Sequence, residues 1–284
     1  MALAFSPLTA VPETPPLERA GLLAGSIHLT GLGVSSSAYV ARLAQTKEDR
    51  EAAQRLRYEV FNLELSEGLE ASTLTGLDAD PFDEVCDHLV AQSLKTGEIV
   101  GTYRLQTGPS AAAHRGYYSA QEFDLTALEP YRHEIVELGR ACIAKPHRNL
   151  AVLNLIWRGL AAYAHSVGAR YLIGCSSVNS TDPRVGASLY SSLMRTRLAA
   201  PEFQVRPWPD WACPLDSLAA LPPKLPKLLA AYLALGAKIG GAPAVDRQFK
   251  TIDFLTLCDL TTLSARTAGR YLNSPPNYVA ALQS

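Results

Sequence analysis

The chain has almost no excess charge of either sign: 26 Lys and Arg stand against 27 Asp and Glu, for a net charge of −1. No bulk field therefore favours nucleic acid or a membrane surface. Cysteines are few, odd in number and scattered: Cys86, Cys142, Cys175, Cys213 and Cys258, with no C-x-x-C and no Cys/His ligand spacing. That argues against a disulfide scaffold and against a metal site, and their apolar surroundings predict mostly buried, reduced thiols. No run approaches the ~20 apolar residues that a bilayer span needs. The N-terminal stretch lacks a basic n-region, and Gly21-Leu22-Leu23-Ala24-Gly25 is too short for a signal core. Ser176 and Ser177 follow an apolar strand, but no G-x-S-x-G elbow surrounds them. A cytoplasmic globular protein that does not bind nucleic acid is the expectation.

What is present is material for a real core: 48% of the 284 residues are apolar and 19% charged. Residues 1–37, rich in Ala, Pro, Ser and Gly, read as a flexible leader, and 38–284 as one domain. Tyr39–Leu43 alternates as a strand, and Thr46-Lys47-Glu48-Asp49 resembles a capping box for a helix that buries Ala52, Ala53, Leu56, Val60 and Phe61, with Arg57 at its margin. Asp87–Ser93 and Ile99–Leu105, joined by Lys95-Thr96-Gly97-Glu98, form a hairpin. A polar insert, 106–133, precedes a strand from Glu134 to Ile143. Asn149 caps a helix that Gly168 stops, and Tyr171–Cys175 is a short buried strand. Asp182-Pro183 opens a helix ending near Arg197. A strand near Phe203–Arg206, a helix over Leu225–Ile239 and a strand over Ile252–Leu257 complete an α/β chain with a mixed central sheet flanked by helices.

Glu137-Leu138-Gly139-Arg140-Ala141-Cys142-Ile143 is the most informative stretch. An interior strand holds an acid and a base only where something pairs with them or uses them. Strict alternation puts Glu137 and Arg140 on opposite faces, whereas a bulge at Gly139 would bring them together and free a backbone amide.

Together with Arg57-Tyr58-Glu59-Val60-Phe61, Cys86-Asp87-His88-Leu89, Gly101-Thr102-Tyr103-Arg104-Leu105, Gly116-Tyr117-Tyr118-Ser119 and Glu122-Phe123-Asp124-Leu125, this stretch resembles the GNAT-fold L-ornithine N-acyltransferases of ornithine-lipid synthesis. The resemblance covers roughly 39–262. More distantly, Arg57, Phe61, Asp83, Asp87, Arg104, Glu137 and Arg140 resemble the charged pattern of acyl-homoserine-lactone synthases. In one respect the chain departs from ordinary GNAT enzymes. Where they carry a glycine-rich loop for coenzyme A pyrophosphate, it has Lys145-Pro146-His147-Arg148-Asn149-Leu150-Ala151-Val152. The resemblance and the missing glycines both point to a donor with a single phosphodiester, the phosphopantetheine of acyl carrier protein, and to no cofactor besides.

The implied reaction passes a long, often 3-hydroxylated acyl chain to the α-amino group of an amino acid, ornithine first, without a Ser or Cys nucleophile. Glu137 is the expected base or ammonium anchor, with a structural ion pair as the competing reading. The amide near Gly139-Arg140 is expected to steady the oxyanion. Arg104 and Arg140 are expected on the acceptor carboxylate, with salt bridges to Asp83, Asp87 or Glu137 as the competing reading; Asp83 and Asp87 are expected on a cationic side chain, and Phe61 at the substrate. Arg57 is expected to lock Asp87, with phosphate binding as its alternative. His88 is a second-choice acid or base. His147, Arg148 and Asn149 would meet the donor phosphate. Lys224, Lys227 and Lys238 would form a basic stripe on one helix for acyl carrier protein or anionic lipid, suggesting peripheral contact with the inner face of the membrane. Other acceptors, a lactone synthase and a degenerate acyl-binding module are the rivals.

Overall fold

The computed structural model describes residues 32–221 and 223–272. Most of the expected leader lies outside them. Within its last residues Gly33–Ser35 is a strand, β1, paired antiparallel to β2, Tyr39–Leu43. Thr46 accepts from the Asp49 amide and starts α1, Lys47–Tyr58, which runs on as a π-helical turn over Glu59–Glu64. The hairpin of β3, Asp87–Ser93, and β4, Ile99–Thr107, follows as expected. The insert is more ordered than its polarity suggested, holding α2, Gly108–Ala113, and β5, Phe123–Asp124.

Strand β6, Ile135–Ile143, leads to α3, Leu150–Ser166, capped by Asn149 as expected. Then come β7, Tyr171–Val178, and α4, Pro183–Arg197, capped by Asp182. The expected strand at Phe203–Arg206 is instead a short 3-10 turn at Pro201–Phe203 followed by β8, Arg206–Pro207. The apolar helix is shorter than its pattern suggested. α5 covers Lys227–Leu235 because Gly236, at φ +111°, turns the chain into β9, Lys238–Ile239. Lys224 precedes the helix and Lys238 follows it, so the three lysines do not form a stripe on one helix. β10, Ala244–Asp246, β11, Thr251–Asp259, and α6, Ala265–Tyr271, complete the described chain.

Nine of these strands form one mixed sheet, ordered β1-β2-β3-β4-β6-β7-β11-β10, with β9 also on β11. All pairs are antiparallel except β6 with β7. The core is divided by the sheet. α3 packs Ile156 and Tyr163 with Leu89, Leu105 and Val136. The insert packs Phe123 and Leu128 with Tyr171, Ile173 and Leu257. α4 and α5 cover a third cluster around Phe254. The insert is therefore a structural cover for β7 and β11.

Candidate active site

Among the described strands of the sheet, the one parallel pair is where it opens. β6 and β7 pair at Ile135↔Tyr171, Val136↔Leu172 and Glu137↔Ile173 and then part. Gly174 stands at the parting point: a Cβ there would lie 2.2 Å from the Leu138 carbonyl oxygen, so no larger residue fits without moving β6. On its other edge β6 carries a bulge, with Arg140 and Ala141 opposing the single residue Tyr103 between the pairs Thr102↔Cys142 and Arg104↔Gly139. The bulge was expected at Gly139 and lies one residue on. Arg140, not the glycine, takes the left-handed conformation, at φ +51°. Such backbone costs a non-glycine residue about 1–2 kcal/mol and is kept where surroundings or function demand it. A Cβ on Gly139 would meet nothing within 4 Å, because that residue faces open space.

That space is a cavity of about 890 Å³, toward the upper end of the ~300–1,000 Å³ usual for small-molecule sites. Arg104, Tyr118, Ser119, Glu137 and Arg140 line one part of it, and Leu153, Trp157, Leu160, Tyr232 and Leu235 another. In the apolar part Trp157 stacks on Tyr232 at 5.7 Å between ring centroids and meets Tyr271 of α6 at 5.6 Å. The Tyr232 and Tyr103 hydroxyls bond at 2.5 Å. α5, which the lysine pattern suggested as a docking stripe, thus turns its apolar residues to the cavity. Lys224 and Lys227 are exposed at its lining, and Lys238 bonds the Thr196 carbonyl oxygen.

Behind the polar part lies a buried set of three arginines and three aspartates. Arg57, fully buried, grips Asp83 with two guanidinium nitrogens at 2.9 and 2.6 Å. It also donates to the Asp78 carbonyl and lies 3.5 Å from that residue's carboxylate. Arg104 donates to Asp80 at 2.6 Å and Asp83 at 3.1 Å, and Arg140 to Asp80 at 3.0 Å. Burial opposes the charge on Asp83, but the hydrogen bonds and charge of Arg57, with Arg104 beside it, hold its carboxyl far below the usual range. Asp80 is likewise held down by Arg104 and Arg140 against the effect of burial. Removing one member of such a set would strand an uncompensated charge, at about 3–5 kcal/mol. Arg140 also lies over the Phe249 ring at 4.2 Å, and its Nε has no partner among the described residues.

Glu137 receives the Tyr118 and Ser119 amides at 2.7 Å each, one on each oxygen. Burial raises its pKa, and these hydrogen bonds and Arg104 only partly offset the rise. It has no ion pair with Arg104 or Arg140; instead it pins the insert across the cleft.

Of the residues expected at the site, Glu137, Gly139, Arg140, Arg104, Phe61 and Arg148 line the cavity, and Asp83, Asp87, Arg57, His147 and Asn149 do not. Arg57 locks Asp83 and Asp78, not Asp87, because α1 faces the loop before β3. Asp87 is exposed and accepts from the Tyr163 hydroxyl at 2.6 Å. Asp83 is spent on arginine and cannot receive a second cation. His88 contacts the Asp83 carbonyl oxygen at 3.0 Å and, held low by burial, stays neutral away from the cavity. His147 contacts the Tyr39 hydroxyl at 2.9 Å. Asn149 spends its oxygen on the Ala151 and Val152 amides. Arg148 pairs with Glu64 at 2.5 and 2.7 Å. Burial pushes the Cys142 thiol up to about 12 and Cys175 well above its usual value, so neither offers a thiolate nucleophile.

Sequence reasoning missed Asp78 and Asp80, hidden in an irregular acidic stretch, and a second group of acids, Glu67, Glu122, Asp246 and Asp253. Asp253 carried a signal of the kind that marked Glu137, a lone acid in an apolar strand.

A family model describing an acetyltransferase (GNAT) domain matches residues 56–158. The chain is 34% identical over 252 residues to the L-ornithine N(alpha)-acyltransferase of Agrobacterium fabrum, covering 82% of this chain and 83% of that one. It is 32% identical to the protein of the same name from Brucella abortus, covering 81% and 87%, and 33% identical to that from Rhodobacter capsulatus, covering 80% and 92%. Among solved structures it is similar to MesI, a CoA-dependent acyl-homoserine lactone synthase, at 17% identity and TM-score 0.48 over 85% of this chain and 99% of that one.

Proposed function

The chain belongs to the L-ornithine N(alpha)-acyltransferase family, and from that premise we propose that it moves a long-chain, often 3-hydroxylated acyl group from acyl carrier protein to the α-amino group of L-ornithine. The product would be lyso-ornithine lipid. The observation that carries this reading is one cavity with a charged part fit for an amino acid and an apolar part fit for a hydrocarbon tail, with the opened edge of β6 beside both.

In the proposed reaction the α-amine attacks the thioester carbonyl, the N–C bond forms, the C–S bond breaks, and the pantetheine sulfur leaves with a proton. Glu137 takes the ammonium proton directly or through one water. Its raised pKa suits that task, and its amide contacts fix its position. The amide at the Gly139-Arg140 bulge is proposed to stabilise the oxyanion. Arg140, with its free Nε, holds the acceptor carboxylate; Arg104, committed to Asp80 and Asp83, positions the group. Past Glu137, where β6 leaves β7, strand-edge groups are available to the amides of a pantetheine arm.

Support for acyl carrier protein as donor comes from the start of α3. The amides that could face a pyrophosphate are occupied by Asn149, and Leu150 projects 72% exposed. Lys224 and Lys227, exposed at the cavity, offer positive charge for one phosphodiester and an acidic carrier. An amphiphilic product places the enzyme's work near the inner membrane surface, although no helix among the described residues is long and apolar enough to cross a membrane.

The test supplies labelled acyl carrier protein or acyl-coenzyme A together with ornithine, glycine or S-adenosylmethionine. Amide formation with acyl carrier protein and ornithine is expected. Lactone from S-adenosylmethionine would transfer the chain to the synthase reading, and no product with any acceptor would leave only an acyl-binding module. Glu137→Gln should fold and lose turnover by roughly 100-fold or more; unchanged turnover would remove Glu137 from the chemistry.

A further inference from the structure

The charged groups of this molecule fall into two buried sets with different balances. The first, Arg57, Arg104 and Arg140 with Asp78, Asp80 and Asp83, is internally neutral. The second contains only acids. Glu122, Asp246 and Asp253 are 1%, 3% and 4% exposed, with Glu67 half-buried nearby. None of the four forms an ion pair among the described residues. Buried carboxylates without cations are costly, and a fold keeps them only by protonating them or by lending them a cation from outside.

The register shows where this set faces. Asp253 is paired with Ser177 across β7, and Asp246 with Thr251 across β10. Thr251 and Asp253, two residues apart, share one face of β11. Thr251, Asp246, Asp253 and Ser177 all line the cavity, along with Glu67. Glu122 stands behind them: its carboxylate, the Cys175 sulfur and the Asp253 carboxylate lie within 4.8 Å of one another. Two unpartnered oxygens point to a missing ligand. Asp253 Oδ1 and Thr251 Oγ1 have no hydrogen-bond partner among the described residues, although both residues are at least nine-tenths buried and line this cavity. The acids also adjoin Arg140. Phe249, which lies against the Arg140 guanidinium, donates its amide to Asp246 at 2.9 Å.

Resting on the reading of the cavity as an amino-acid N-acylation site, we propose that Asp253, with Asp246, Glu67 and Glu122 around it, is the subsite that binds the side-chain ammonium of a basic amino-acid acceptor. Arg140 takes the carboxylate at one end of the acceptor and Asp253 the ammonium at the other. This selects a diamino acid over a neutral one of the same length. The reason is charge matching: only a cationic side chain gives the buried acids a partner when they release their shared proton, and a neutral one leaves their polar groups unmatched. Burial and the mutual repulsion of the acids raise the Glu122 and Asp253 pKa values, as expected of a group that waits with a shared proton and exchanges it for a cation. The alternative occupant is a metal ion on Glu122, Cys175 and Asp253, whose donor atoms lie within 4.8 Å of one another.

The test compares ornithine with norvaline, its analogue lacking the terminal amine, and with ornithine acetylated on the side-chain nitrogen. Wild-type enzyme should prefer ornithine over both by roughly 100-fold in kcat/KM, and Asp253→Asn should erase most of that preference through KM for ornithine. Should the asparagine variant fail to fold, Asp246→Asn and Glu67→Gln carry the test, and an ornithine preference unchanged in both would overturn the subsite. Acylation of all three acceptors at similar rates would overturn the subsite while leaving the acyltransferase reading intact, whereas no acylation of any amino acid would overturn the reading itself. Loss of activity on chelation, restored by a divalent metal, would give the acids to that metal and also overturn the proposal.

Discussion

At the scale of single residues, buried charge in this protein is sorted by whether its partner is built in. Asp83 has partners built in, so Asp83→Asn should destabilise the fold by about 3–5 kcal/mol in chemical denaturation, because Arg57 and Arg104 would be left facing a neutral amide. Arg140 is different. Arg140→Lys keeps the charge but loses the planar fork, and should raise KM for the acceptor by roughly tenfold or more with little change in melting temperature. Glu67, raised by burial and by Asp253 to about 7, sits at the cavity. It ionises as pH rises through that value, so KM for a cationic acceptor should fall between pH 6 and 8, and Glu67→Gln should flatten the change. The sequence made Glu137, Arg104 and Arg140 visible because a charge in an apolar strand stands out. The same signal at Asp253 went unused, and the partners of Arg57 were misassigned because sequence spacing cannot tell which loop meets a helix face.

At the scale of elements, the site exists because one strand pair opens. Gly174→Ala forces β7 away from Leu138 and should cost roughly 1–3 kcal/mol, with activity falling further than stability alone explains. α3 and α5 build the apolar part of the cavity. Ala161→Phe on α3 fills part of it and should shift donor preference toward shorter acyl chains in a chain-length series. Helices and strands with strong periodicity were legible: the β3–β4 hairpin, the Asn149 and Asp182 caps and the bulge itself to within one residue. Less was legible where tertiary contacts decide. The insert looked like polar loop because its order comes from packing on Tyr171, Ile173 and Leu257. α5 stopped early because Gly236 adopts a positive φ, which no hydropathy pattern records.

For the whole molecule, the fold carries an acid-rich, cation-poor centre, and stability should report it. Glu122 has a folded pKa above its unfolded value, so its contribution is fully present below the unfolded pKa and is lost as pH rises toward the folded one. Glu122→Gln should therefore melt like wild type near pH 4 and higher than wild type at pH 8, by on the order of 5 °C. Asp83 works in the opposite sense: its depressed pKa gives stability above pH ~4 that is lost on further acidification. Saturating ornithine should shift the pH 8 melting temperature upward by mass action, and more in wild type than in Asp253→Asn.

The most direct measurement of the central claim uses ornithine labelled with nitrogen-15 at the α position only, incubated with acyl carrier protein bearing a 3-hydroxyacyl chain, with the product read by mass spectrometry and NMR. The account predicts an amide on the labelled nitrogen, formed by wild type and almost abolished by Glu137→Gln. Acylation of the side-chain nitrogen, or an α-amide formed equally well without Glu137, would contradict it.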